Sequence, residues 1–342
     1  MKKRKVLAAV LVFGISIQGL ASCTAEEQTG IVRAQVGVAC YNQSDIFISE
    51  LLDCFEEKLN QLEKGSFEAT VTVRDSAGSQ RIQNDQVKEL VDAGCNVLCV
   101  NLVDRADPSE IIDIARENDI PIIFFNREPV AEDMMQWDKL YYVGADAKQS
   151  GVMQGELAAD AIETEPQIDR NKDGKIQYVV LEGEPGHQDA IIRTENAVDT
   201  LREKGVELEK LSYGIANWNQ AQAENRMLQM IGQQNQIELV LANNAAMALG
   251  AIDAYKKLNR TESALPVFFG IDGTKEGLEA IKEKKMAGTV YNDKEGQAEA
   301  MAKLTEALVS GSGLSDIEFE NEKYIYLPYS KVTFENVEDY IE

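Results

Sequence analysis

Residues 169–180 read DRNKDGKIQYVV, and their side chains are spaced for binding a cation. Asp169, Asn171 and Asp173 place oxygens at positions 1, 3 and 5 of an EF-hand-type loop. Gly174 permits the sharp turn at position 6, Lys175 offers its backbone carbonyl at 7, and Gln177 fills 9. Such a loop needs a bidentate Glu at position 12, where this chain has Val180 inside an apolar run. Two readings follow: a polar surface turn, or a cation loop completed by a carboxylate from elsewhere in the chain. A second set of chemically capable residues has no local motif. Asp45, Asn101, His187, Asp189, Arg193, Asn244, Asp272 and Asn292, with the aromatic residues Phe47 and Trp218, are scattered along the chain. No glycine-rich phosphate cradle accompanies them, because GEPGHQD lacks the GxGxxG spacing and there is no Walker sequence.

The elements that must position these residues alternate. The apolar runs QVGVAC, EATVTV, NVLCVNL and IPIIFFN are separated by amphipathic stretches such as 46–62 and 82–93. The rhythm resumes with IQYVVLEG, IELVLANN, PVFFGID and AGTVYND. Near-continuous apolar strands joined by helices indicate parallel sheets covered on both faces. Two such series predict an α/β chain of two doubly wound lobes. Ligands of these sheets collect outside the carboxyl ends of the strands, and the scattered polar residues stand at those ends. Taken alone, an Asp or Asn there is a helix cap or a turn residue. The same placement at six strand ends predicts one shared site.

The chemistry of that site favours a neutral polyol. Asp, Asn and Arg carry planar, paired polar atoms that can engage two neighbouring hydroxyls. Phe47 and Trp218 offer faces that match the apolar C–H faces of a pyranose ring. An anionic ligand would be repelled by Asp45, Asp189 and Asp272. His187, the single histidine of the chain, has no evident nucleophile partner. Arg193 beside Asp189 is expected to keep that carboxylate ionised, against the raised pKa that a glycosidase acid needs. No enzymatic activity is expected.

The chain opens MKKRKVLAAVLVFGISIQGLASC, a basic start, an apolar stretch and small residues, as in an export signal. Leu20 to Cys23, LASC, fits the bacterial lipobox, in which Cys23 is diacylated and becomes the new N-terminus; two acyl chains suffice for stable anchoring. Removing residues 1–22 takes away Lys2, Lys3, Arg4 and Lys5 and no acids, so the formal charge goes from −24 to −28. Such an acidic chain repels nucleic acid. Cys40, Cys54, Cys95 and Cys99 show no metal-type CxxC and are expected to be buried free thiols.

With these residues in place, the sequence resembles the bacterial periplasmic D-galactose/D-glucose-binding proteins, the sugar receptors of galactoside ABC importers, from about Val36 to its end. The matching stretches include NLVD, FFNREP, YYVGAD, GEPGHQDA, LANNAAMALGA and AGTVYND. The resemblance implies a type I periplasmic binding protein: two Rossmann-like lobes, a three-segment hinge and a sugar in the cleft between them. It implies sugar contacts from Asp45, Phe47, Asn101, His187, Asp189, Arg193, Trp218, Asn244, Asp272 and Asn292, with the pyranose sandwiched between Phe47 and Trp218. Two departures lie beside the pocket, Ala245 where the family has an acid and Gln43 where it has Tyr. The resemblance also supplies the missing cation ligand. It implies a structural calcium ion held by Asp169, Asn171, Asp173, Lys175, Gln177 and a distant bidentate Glu238, which opens a strand on the same sheet edge as the loop.

The resulting expectation divides the chain into a signal peptide (1–22), a lipid-anchored linker (23–33), an N-terminal lobe (34–126 plus 293–326) and a C-terminal lobe (127–292 plus 327–342). The implied partners are D-galactose or D-glucose and the permease subunits, for a monomer that meets the membrane only through its lipid. A chemoreceptor or histidine kinase would be the partner if the receptor served sensing instead of transport.

Overall fold

The computed structural model describes residues 30–62, 66–234, 236–261 and 264–341. The expected signal peptide, Cys23 and most of the linker lie outside them. Among the described residues no helix is long and apolar enough to cross a membrane.

The chain runs β1 (Val32–Cys40), α1 (Ile46–Leu62), β2 (Phe67–Asp75), α2 (Gln80–Asp92), β3 (Val97–Val100), α3 (Ser109–Glu117), β4 (Ile122–Phe125), α4 (Ala131–Met134) and β5 (Leu140–Gly144). It continues through α5 (Ala147–Thr164), β6 (Ile176–Glu182), α6 (Gln188–Glu203), β7 (Leu208–Ile215), α7 (Gln220–Gln233), β8 (Leu239–Ala242), α8 (Ala245–Lys257), β9 (Val267–Asp272), α9 (Lys275–Lys282) and β10 (Gly288–Asn292). It closes with α10 (Lys294–Ser310), β11 (Tyr324–Tyr326) and β12 (Tyr329–Thr333). Two six-stranded sheets result, in the orders β11-β5-β4-β3-β1-β2 and β12-β10-β9-β8-β6-β7. Every pairing is parallel except β10 with β12.

The period of two along each strand accounts for the doubly wound layers. In the first lobe Val36, Val38, Val97 and Cys99 face the core under α1 and α10, while Ala39, Leu98 and Val100 face the core under α2 and α3. In the second, Val179, Leu181 and Val240 pack under α7 and α8, and Tyr178, Val180 and Leu239 under α5 and α6. With both faces covered, β3, β4, β6 and β8 are buried along their whole length.

The chain passes between the sheets three times: from β5 into α5, from β10 into α10, and from β11 into β12. Asp146 and Asp293 cap the helices that follow the first two passages, accepting from the N–H groups of Lys148 and Gly296. The first and third passages are tied together where Leu327 donates to the Gly144 carbonyl at 2.8 Å. The first passage therefore follows Gly144, not residue 126 as the sequence suggested. The apolar segment LYYVG is a buried strand paired with β4, so residues 127–144 belong to the first lobe. Cys40, Cys95 and Cys99 are buried free thiols, whereas Cys54 is only half-buried.

Candidate functional site

The carboxyl ends of the second sheet converge on Arg193. Its helix α6 lies close against α5 because α5 has glycines at the contact; a Cβ on Gly151 would meet the Arg193 carbonyl at 2.8 Å. The buried guanidinium donates from Nη1 to the Asn243 carbonyl at 2.9 Å and from Nη2 to the Tyr329 hydroxyl at 3.1 Å. Asp272 lies 3.5 Å from Nη1, and Asp189 lies 3.8 Å from Nη2. Its Nε–H is buried with no partner among the described residues. A buried donor left unpaired is costly, of order 1–3 kcal/mol, and marks a place for a ligand acceptor.

Burial pushes the Asp272 carboxyl up to about 7, although Arg193 pulls the other way; Asp45 and Glu50 of the first lobe and Asp189 add repulsion. Burial likewise raises Asp189 against the pull of Arg193. The net shift at Asp189 runs against the expectation drawn from its neighbour Arg193, because one guanidinium shared by two carboxylates does not offset their loss of water. Asp272 also holds a φ of +92° at the end of β9, a conformation that non-glycine residues adopt only where the surroundings impose it.

His187 caps α6, its Nδ1 accepting from the Asp189 N–H at 3.2 Å. The ring proton then sits on Nε2, free to donate. Burial, reinforced by Arg127, Arg193 and Arg105, lowers its pKa to about 2, so the imidazole is neutral. Its edge meets the Trp218 ring, with centroids 5.1 Å apart and planes at 78°. Asn217 and Trp218 are both left-handed, with φ of +49° and +60°. The indole lies against Gly183, where a Cβ would come within 2.1 Å of the ring. The Arg193 guanidinium stands 5.9 Å from the indole centroid. Asn244 caps α8 and donates to the Trp218 carbonyl at 3.2 Å.

The first lobe presents a different face. Asp45 caps α1, accepting from the Ile48 N–H at 3.2 Å, and accepts from the Tyr41 hydroxyl at 2.5 Å. Arg127 lies over the Tyr41 ring, 3.5 Å from its centroid. It donates to the Val103 carbonyl and pairs across the cleft with Glu184 at 3.0 Å. Asn101 is fully buried and donates to the Phe125 carbonyl and to Asn126. Phe47 is packed into the lobe's own core with Val38 and Tyr41 and has no ring contact among the described residues.

The structure thus joins His187, Asp189, Arg193, Trp218 and Asp272 in one contact network, which Asp45 reaches through its field. Asn101 and Asn244 are engaged within their own lobes, and Asn292 accepts from Gln297 at 2.6 Å. The network touches two clefts whose walls come from both lobes. One, of about 330 Å³, includes Glu128, Tyr142 and Asp189; the other, of about 370 Å³, includes Ser44, Ile46 and Trp218. Sequence reasoning missed Arg127, Glu184 and Tyr329. Arg127 and Glu184 left the one local signal, each a charged residue two positions beyond the carboxyl end of an apolar strand.

At the opposite, amino-terminal edge of the second sheet, β6 and β8 are neighbours and bring the 169–177 loop to Glu238. Glu238 is 1% exposed. Its Oε1 accepts from the Arg170 N–H at 2.7 Å and its Oε2 from the Gln177 N–H at 3.1 Å. Asp169 Oδ2 accepts from the Gly174 N–H at 3.0 Å, while Oδ1 is buried without a partner among the described residues. Gln177 and Asn171 hydrogen-bond to Asp173, and the Lys175 N–H holds the Asp173 carboxyl below its ordinary value. Lys172 and Gly174 turn the loop with φ of +58° and +79°. Among the described residues no three His, Cys, Asp or Glu side chains form a metal cluster by themselves. The oxygen-only donor set and the orphaned Asp169 oxygen nonetheless fit a hard cation such as calcium.

Comparisons with known proteins agree with this architecture. Residues 36–313 match the model of the periplasmic binding protein domain. The chain is 35% identical to a D-galactose/methyl-galactoside-binding periplasmic protein of Haemophilus influenzae, covering 100% of both chains. A rhizopine-binding protein of Rhizobium meliloti, so named putatively, is 28% identical over 78% of this chain and 81% of its own. An ABC transporter solute-binding protein of Bacillus halodurans, solved with myo-inositol, superposes with a TM-score of 0.74 at 28% identity, covering 92% of this chain and 98% of that one. Two doubly wound lobes, three passages between them and a polar network at facing strand ends are the marks of one group, and the chain belongs to the periplasmic binding protein family.

Proposed function

We propose that the chain is an extracytoplasmic receptor that binds a monosaccharide, D-galactose or D-glucose, and delivers it to an ABC permease by hinge closure. The observation that carries this reading is the Arg193 network. A buried guanidinium with a free Nε–H, two carboxylates beside it, a neutral imidazole with a free Nε2–H and an indole face stand together where the lobes meet. Hydroxyl groups both donate and accept, so a sugar meets this mixed set without adding charge. Asp45, Phe47 and Asn101 contribute from the first lobe, Asn244 and Asn292 from the second; the asparagines share their hydrogen bonds with the ligand. Closure follows because the sugar gains contacts with both lobes only when they are together. The receptor binds its ligand without transforming it.

Two further parts belong to this reading. Asp169, Asn171, Asp173, Gln177 and Glu238, with the carbonyl of Lys175, would hold a calcium ion that stiffens the second lobe. Cys23 would be the acylated N-terminus, and Cys23→Ala would then release the protein from membranes; wild-type protein beginning at another residue would sink that assignment.

Titration calorimetry with D-galactose, D-glucose and unrelated monosaccharides tests the main reading. Binding should be confined to a few hexoses and should change the intrinsic fluorescence. Trp218→Ala should remove most of that change and weaken binding about thirtyfold, the ~2 kcal/mol typical of a buried aromatic anchor. Equal affinity of wild type and variant for every sugar would refute the stacking role, and no binding to any sugar would refute the receptor assignment.

A further inference from the structure

Glu50 lies on α1 in the first lobe, yet its carboxylate reaches the second. Its Oε1 accepts the backbone N–H of Lys275, the first residue of α9, at 3.1 Å. Its Oε2 lies 3.1 Å from Nζ of Lys294, the first residue of α10; the two side chains are 20% and 12% exposed, so this is not a solvated surface pair. Helix α9 lacks a cap of its own. Thr274 makes no capping bond, and its Oγ1 is buried without a partner among the described residues. The first turn of a helix presents unpaired N–H groups and partial positive charge, both stabilised by a carboxylate. Here that carboxylate comes from the opposite lobe.

Two neighbours give the contact its meaning. Helix α10 packs on the first lobe, so the Lys294–Glu50 ion pair lies within one lobe and its charge holds the carboxylate in place. Asp272 and Gly273, both at positive φ, form the turn that leads from β9 into α9. Capping α9 therefore braces the turn that carries a carboxylate of the Arg193 network.

We propose that Glu50 is a closure latch: held by Lys294, it caps α9 of the other lobe only when the lobes are together, and so strengthens ligand binding as a positioning residue that touches no ligand. The proposal rests on the sugar-receptor reading above. Glu50→Ala should weaken hexose binding about tenfold, equivalent to ~1.4 kcal/mol, the scale of a charged hydrogen bond at a helix N-terminus. The loss should lie in a faster koff at unchanged kon, because encounter occurs in the open form. Glu50→Gln, which keeps size and an acceptor but no charge, should fall between. Thr274→Asp in the Glu50→Ala background should return a local cap to α9 and any lost thermal stability, but not the affinity.

A second readout needs no sugar: with one spin label on each lobe, the short interlobe distances of the unliganded protein should be less populated in Glu50→Ala. The latch is overturned if koff and the distance distribution match wild type, or if Thr274→Asp restores affinity. Wild-type protein that binds no hexose would sink the sugar reading alone, and the label distances would still decide the latch.

Discussion

The second sheet buries carboxylates at both of its ends, and it treats them in opposite ways. At the amino-terminal edge Glu238 is surrounded by backbone N–H groups of a single loop. At the carboxyl-terminal edge Asp272 and Asp189 share one guanidinium, supplied by a helix between two other strands. Those N–H groups, fixed by the fold, pin the Glu238 carboxylate in one orientation. A lone buried guanidinium between two acids leaves charge incompletely matched. The first arrangement locks a carboxylate within its own lobe, while the second leaves a buried donor that a ligand can still engage.

Removing Arg193 should have the largest effect. Arg193→Ala leaves the buried Asp272 and the partly buried Asp189 without a cation, a loss on the scale of 3–5 kcal/mol for a broken buried pair. Melting temperature should fall and sugar binding should disappear; a variant as stable as wild type would erase the contrast between the two ends. Next comes the loop. If calcium is present at about a thousand times its Kd, chelation should cost about 4 kcal/mol by mass action. Glu238→Gln should abolish most of that dependence and spare sugar affinity. Identical melting curves with and without chelator would reduce the loop to a polar turn.

The smallest effect concerns His187 and sharpens the comparison through pH. Its folded pKa lies near 2, below the ordinary value, so the unfolded chain takes up a proton below pH ~6.5 that the folded chain refuses. Stability is therefore lost as pH falls. Asp272, at about 7, does the reverse: the folded chain keeps a proton that the unfolded chain releases, and stability is lost as pH rises from about 4 towards 7. The two slopes oppose each other between about pH 4 and 6.5. His187→Gln should thus gain on wild type by at most about 2 kcal/mol between pH 7.5 and pH 5, measured by paired thermal melts. A gap that does not change with pH would show that His187 titrates normally.

Legibility in the sequence followed locality. The loop at 169–177 could be read because its ligands are contiguous, and α1 because its apolar spacing is regular; helix and expectation coincide at Ile46–Leu62. β7 carries only one fully buried residue, and β11 has only three residues, so neither gives an apolar run to detect. The first passage lies later than the sequence reading places it because that reading makes IPIIFFN the last strand before the crossing and does not include LYYVG among the strands. Glu50 looks like an ordinary surface charge in sequence, and Arg127 shows only its place beyond a strand end. Only the packing of other segments around them shows that they bridge two lobes.

The three passages between the sheets have a consequence for how the molecule is made. The first sheet begins with residue 32 but takes its last strand from residues 324–326, and the second takes its edge from 329–333. At synthesis rates of roughly 5–20 residues per second, some 300 residues separate the first strand from that closing pair by roughly 15–60 s. Throughout that interval neither sheet has its full complement of strands, and α10, which covers one face of the first, arrives late as well. A nascent chain arranged in this way stays short of a finished fold until it is almost fully made, which is the state a thread-like passage through a membrane pore requires.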